Sequence, residues 1–234
     1  MLISSRTLGE YRAMFALAEV DLARRILDCP GGTASFSAEV NAAGGNAIAC
    51  DPVYAQHSAD ELAALSVSET ERGNGFVRAH LEQYRWSFFA DPGEHLRSRM
   101  AAGARFTVDM RTNPNRYIAG RLPALPFVPS SFDLVLSSHL LFSYADRLEL
   151  PFHRAAISEL MRVTRDELRI FPLVAMGSAV PYPLLDELLD QLAEHDVTGR
   201  VVAVDYEFQA GGNQMLVCRQ ASSHGDRKDD HVAR

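Results

Sequence analysis

The sequence predicts an α/β fold: a seven-stranded, mostly parallel sheet with helices on both faces, an antiparallel hairpin at its C-terminal end and a helical insertion after the second strand. Three observations predict it. Residues 25–36 read as a short apolar strand ending in Asp28, a small-residue turn through Pro30-Gly31-Gly32-Thr33-Ala34, and the start of a helix. That is the opening βα unit of a nucleotide-binding sheet, where glycine lets a ligand approach the backbone and the helix start offers free N–H groups. Residues 46–51 form a second apolar run that ends in a carboxylate, Asp51, about twenty residues beyond the turn, where a ribose-binding acid is expected. Residues 201–208 and 214–219 alternate or run apolar and are joined by Ala210-Gly211-Gly212-Asn213 as a hairpin.

Each element follows from local pattern. Leu8, Tyr11, Phe15, Ala18 and Leu22 recur at helical steps over residues 7–25, with Thr7 and Glu10 as a capping box. Gly44-Gly45 stops the helix after the first turn, and Pro52 breaks the second strand. Residues 54–115 form the insertion. Within it, Ser58 caps a helix, residues 76–89 are rich in aromatics, and Asp91-Pro92-Gly93-Glu94 opens a second helix over residues 95–109. Residues 116–122 make the third strand. Residues 132–138, apolar throughout, make a buried fourth one. A helix over 148–162, a fifth strand over 167–173 and a helix over 181–195 complete the order before the hairpin. Residues 1–221 read as one domain, and 222–234 as a charged, frayed tail.

Bulk numbers narrow the function classes. A chain of 234 residues builds its core without staples. Its formal net charge of −7 argues against broad phosphate-backbone binding, so a nucleic-acid partner is not expected. No apolar run reaches transmembrane length, and the first residues lack the long apolar region of a signal peptide. Three cysteines, Cys29, Cys50 and Cys218, without metal-ligand spacing suggest buried thiols, no metal site and a cytoplasmic location.

The motifs carry more than the composition does. The turn D-C-P-G-G-T-A resembles the first motif of class I (Rossmann-like) S-adenosylmethionine (SAM)-dependent methyltransferases, D-x-G-x-G-T-G: Asp28, Gly32 and Thr33 are in register, while Pro30 and Ala34 stand where that family has glycine. The run from Gly120 through Leu125-Pro126-Phe127 to Ser131-Phe132-Asp133-Leu134-Val135 resembles that family's G-D-x-x-x-L-P-F-x-x-x-S-F-D-L-V. The resemblance implies that SAM is the cofactor. Asp28, Pro30, Gly31 and Gly32 would then hold its methionyl and ribose end, Asp51 its ribose hydroxyls, and Arg121 and Leu122 would border the adenine. Ser137, Ser138 and His139 would face the reacting centre. Arg121 departs from the family's aspartate, so its side chain cannot accept from an adenine amino group.

Other roles stay open at this stage. Tyr11 either faces the methionyl end or belongs to a packing stripe. The aromatics Trp86, Phe88 and Phe89 either wall an acceptor site or anchor the insertion. His139 is the candidate catalytic residue, as a base for an O–H or N–H acceptor, or else a histidine bonded to backbone at a strand end. Tyr144 and His153 are lesser candidates of the same kind. The expected reaction is methyl transfer to an oxygen or nitrogen of a small molecule. An RNA or protein acceptor and a non-catalytic SAM-binding protein are the alternatives. The Asn-Pro-Pro-Tyr motif of enzymes acting on base or glutamine amino groups is absent, since Ser137-Ser138-His139-Leu140 takes its place.

Overall fold

A computed structural model describes residues 3–221, and the expected tail at 222–234 lies outside the described residues. The first strand, β1 (Arg25–Asp28), sits mid-sheet between β2 (Asn46–Cys50) and β4 (Phe132–Ser138), parallel to both. Outward from β2 lies β3 (Tyr117–Ile118), and from β4 lies β5 (Thr164–Phe171), again parallel. The last strand, β7 (Gln214–Gln220), runs antiparallel between β5 and β6 (Val197–Ala203), giving the order β3-β2-β1-β4-β5-β7-β6. This is the mostly parallel seven-stranded sheet that the sequence pattern predicts.

Alternation along the strands divides the core in two. Ile26, Leu134 and Leu136 point to one face and meet Tyr11, Phe15, Phe36 and Val40 from α1 (Leu8–Phe15) and α3 (Phe36–Ala42). Leu27 and Val135 point to the other and meet Ile157, Leu160, Leu188 and Leu192 from α7 (Leu150–Val163) and α8 (Leu185–Ala193). Both faces are covered, as a parallel sheet requires. Among the described residues, no helix is long and apolar enough to cross a membrane.

Three of the elements depart from the sequence pattern for a local reason. The helix expected over 7–25 is two: α1 stops where Ala16 turns left-handed at φ 48°, and α2 (Glu19–Leu22) follows. The third strand is only two residues long, because the chain turns at Arg121, whose carbonyl accepts from Ala124 N–H at 2.9 Å. The sixth strand starts and ends earlier than its apolar pattern suggested, so Tyr206 and Phe208 leave the sheet. The final connection is therefore a long one, residues 204–213, and not a tight hairpin turn.

Between β2 and β3 run α4 (Val53–Gln56), α5 (Ala59–Ala79) and α6 (Pro92–Thr112). Ser58 caps α5 reciprocally with Glu61, and Asp91 caps α6 ahead of Pro92 at its first position. The two long helices pack on each other and reach over the carboxyl edge of the sheet, where the site lies.

Candidate active site

Strand order reverses between β1 and β4, and open α/β sheets bind ligands at the carboxyl ends beside such a reversal. Asp28 lies in register with Ala49 on one side and Leu136 on the other, so three strands deliver their following loops to one edge. The turn after β1 is drawn tight against β2: Gly31 N–H donates to the Cys50 carbonyl at 3.1 Å. A Cβ on Gly31 would come within 2.7 Å of both the Ala49 Cβ and the Tyr54 hydroxyl. Gly31→Ala is therefore expected to cost about 1–3 kcal/mol, read as a melting temperature lower by a few degrees.

Gly32 is left-handed at φ 51° and directs its N–H to Asp51 Oδ2 at 2.9 Å. The other Asp51 oxygen accepts from Val53 N–H at 3.0 Å, and Tyr54 OH donates to the Gly32 carbonyl at 2.8 Å. Burial pushes the Asp51 pKa up, and the two N–H donors oppose that shift. The acid and the glycine turn are thus one hydrogen-bonded unit, although they lie nineteen residues apart.

A cavity of about 980 Å³ opens above this unit. Pro30, Gly31, Gly32 and Asp51 line one side of it, and Arg121 and Leu122 another. Ser138 and His139 lie across from the turn, and Tyr11 also contributes. His139 is left-handed at φ 51°, a conformation that costs a non-glycine residue about 1–2 kcal/mol. Its N–H donates to the Phe171 carbonyl at 2.7 Å, and its Nδ1 lies 2.8 Å from Ser138 Oγ. Burial, with Arg6 and Arg99 nearby, holds the imidazole pKa well below its ordinary value, so the ring is neutral near pH 7.

A second cavity, of about 480 Å³, shares a wall with the first: Ile3, Ser4, Arg6, His139 and Tyr144 line both. Its own walls include Phe76, Tyr84, Phe171, Tyr206 and Phe208. Beneath it lies a buried polar cluster that joins distant parts of the chain. Arg99 on α6 grips Glu10 on α1 through both terminal nitrogens, one of them at 2.7 Å, and its Nη1 also donates to the Ser5 carbonyl at 3.0 Å. Tyr206 OH donates to Glu10 Oε1 at 2.7 Å, and Arg6 Nε lies 3.4 Å from the same oxygen. Burial alone would raise the Glu10 pKa, but Arg99 and Arg6 with these hydrogen bonds hold it below the usual carboxylate range.

Most of the expected site residues meet in the first cavity, but two do not line it. Asp28 is 1% exposed and lies behind Tyr11, whose hydroxyl is 3.0 Å from both its oxygens. Burial, against that hydrogen bond, raises the Asp28 pKa well above its usual value. Tyr11 itself stacks on Phe36 at 4.4 Å, so it serves the packing stripe and the lining together. Ser137 is also buried behind the wall, and its Oγ has no hydrogen-bond partner among the described residues. His153 is fully buried, with its ring nitrogens 3.0 and 3.1 Å from the Glu149 and Leu141 carbonyls, a structural placement.

The insertion's aromatics divide by position. Phe89 and Trp86 pack on Phe208 at 5.4 and 5.6 Å as anchors, and Phe88 lies 5.1 Å from Tyr206, while Phe76 and Tyr84 line the second cavity. All three cysteines are buried and unpaired by disulfides. Sequence pattern missed Arg6, Tyr54, Glu10, Arg99 and Tyr206. Glu10 reads in the sequence as the capping-box partner of Thr7, and nothing local links it or Arg6 to Arg99 or Tyr206.

No family model matches the chain. The uncharacterized protein MJ0045 of Methanocaldococcus jannaschii is 31% identical over 221 residues, covering 92% of this chain and 94% of that protein. Among solved structures, magnesium protoporphyrin IX methyltransferase of Synechocystis PCC 6803 with bound SAH is similar at 12% identity over 92% of this chain and 81% of that one, TM-score 0.49. A putative S-adenosyl-L-methionine-dependent methyltransferase of Methanococcus maripaludis is similar at 12% identity over 93% of this chain and 85% of that one, TM-score 0.44.

Proposed function

The chain belongs to the family of the archaeal protein MJ0045, and for this member of it we propose a SAM-dependent methyltransferase that acts on an oxygen or nitrogen atom of a small organic molecule. The observation that carries the reading is the Gly32–Asp51 unit at the strand-order reversal, opening on two cavities with a common wall. The residues present fit the cofactor. Each Asp51 oxygen accepts one backbone N–H and keeps acceptor capacity for a vicinal hydroxyl pair. Gly31 and Gly32 leave the backbone open to close approach, and the larger cavity is ample for a nucleoside joined to an amino acid.

When bound, SAM supplies an activated methyl group on a good leaving group. The protein's part is to grip, align and keep water out. Asp51 holds the ribose, the Pro30–Gly32 backbone borders the methionyl side, and Arg121 and Leu122 flank the adenine. His139 and Tyr144 stand at the shared wall, where the acceptor atom must lie. Ser138 Oγ pairs with His139 Nδ1, which leaves Nε2 to meet the acceptor, with its lone pair where a proton must be taken or as N–H where the acceptor is already charged.

Calorimetry should show SAM and S-adenosylhomocysteine (SAH) binding, and absence of binding at millimolar SAM would end the reading. His139→Ala should lower kcat about a hundredfold, whether the ring takes a proton or only positions the acceptor, and leave SAH affinity within about threefold. Because the neutral ring does not titrate at neutral pH, the rate should lack a histidine inflection near pH 6.5. Rates of labelled methyl transfer between pH 5.5 and 8.5 check this, and an inflection that vanishes in His139→Ala would overturn it.

A further inference from the structure

The shared wall carries more positive charge than negative. Arg6 and Arg99 share one carboxylate within ion-pair distance, Glu10, and the arginine that grips it is Arg99, whose Nε also faces His95 Nε2 at 3.2 Å. Arg6 is left with a contact to Ser4 Oγ and a loose 3.4 Å ion pair, and its Nε has no hydrogen-bond partner among the described residues. Its side chain is 12% exposed, and it borders both cavities. Buried guanidinium is stable only when compensated, and here the compensation is incomplete. A sulfonium donor in the adjoining cavity would add another positive charge to that corner. An anion placed beside Arg6 would complete that compensation.

The rest of the second cavity states the shape of that anion's carrier. Phe76, Tyr84, Phe171, Tyr206 and Phe208 give rings on several sides, and Phe208 is itself held by His95 stacked at 4.7 Å. Ring walls favour a flat, conjugated molecule. Farther out, Arg72 and Arg147 line the cavity but are paired with Glu69 at 2.6 Å and Asp146 at 3.3 Å, so the unmatched charge is at the inner end.

Resting on the proposed function above, we infer that the methyl acceptor is a planar aromatic carboxylic acid, bound ring-outward among the aromatic walls with its carboxylate inward at Arg6 and His139. The carboxylate oxygen is the acceptor atom. The bond formed is O–CH3, and the bond broken is the donor's S–CH3, whose electron pair stays on sulfur. The oxygen arrives already charged, so no proton moves, and His139 positions that oxygen through Nε2–H in place of acting as a base.

Binding to the full chain tests this without turnover. Calorimetry of 2-naphthoate and 2-naphthamide, with and without saturating SAH, compares the acid with its neutral isostere on unaltered protein. The acid should bind at least about tenfold more tightly, Arg6→Gln should erase that preference, and Phe208→Leu should weaken both ligands. Equal affinity for acid and amide, or no binding of either at millimolar concentration, overturns the inference while leaving SAH binding to judge the cofactor reading. So does an Arg6→Gln variant that loses SAH affinity more than acid affinity, because Arg6 then serves the cofactor's own carboxylate. Acid binding without SAH binding would support the aromatic-acid site and sink the methyltransferase reading.

Discussion

Asp51→Ala is expected to weaken SAH binding by at least about a hundredfold. Two hydrogen bonds to a charged acceptor are lost, at about 1.5–3 kcal/mol each, and each 1.4 kcal/mol is a factor of ten. The substitution also leaves the N–H groups of Gly32 and Val53 without the carboxylate they now share, so the turn of the proposed cofactor site loosens. Calorimetry near neutral pH reads the affinity, and a melting curve shows whether the protein is still folded. An affinity within threefold of the original would remove Asp51 from the site. The acid's raised pKa adds a pH signature: SAH affinity should be flat at neutral pH and fall on acidification at a higher pH than an ordinary aspartate would give.

Glu10→Gln should have the largest effect on stability. It leaves Arg99 and Arg6 buried without their carboxylate, and breaking a buried ion pair costs about 3–5 kcal/mol. For a domain of this size that is about 6–20 °C in Tm. The pH dependence has a definite sign. The folded-state pKa of Glu10 lies below the usual carboxylate value, so its contribution is complete above that value and is lost as pH falls through the lower, folded-state one. The Tm gap between the native protein and Glu10→Gln should therefore be full at pH 7 and narrow in strong acid. A gap that stays constant, or a Tm unchanged at pH 7, would mean the cluster does not hold the fold together. Tyr206→Phe removes one hydrogen bond and should cost only about 1 kcal/mol, read in the same melts.

What was legible in the sequence was local. The glycine turn, the strand ending at Cys50 and the carboxylate after it are separated by short spacings that the sheet turns into contact. Parallel central strands announce themselves as apolar runs, so β4 lies where its pattern placed it. The sixth strand was overextended because Val204, Tyr206 and Phe208 alternate as a strand does. They alternate for another reason: Tyr206 reaches Glu10, and Phe208 packs on His95 and the insertion. The floor of the second cavity was not legible at all. Glu10 meets Arg99 across 89 residues and Tyr206 across 196, distances at which no pattern in one sequence speaks. Asp28 misled in the opposite way: its place in a familiar motif suggested ligand contact, but the hydroxyl of Tyr11 covers it.

The common wall of Ser4, Arg6, His139 and Tyr144 has a practical consequence for inhibitor chemistry. The same side chains border both cavities, so a compound with an adenosine head and a naphthoate tail on a short tether could reach from one into the other. Once the head is seated, the tail is presented at a local concentration in the millimolar range. Such a two-headed compound should outcompete its separate halves by far more than the sum of their effects.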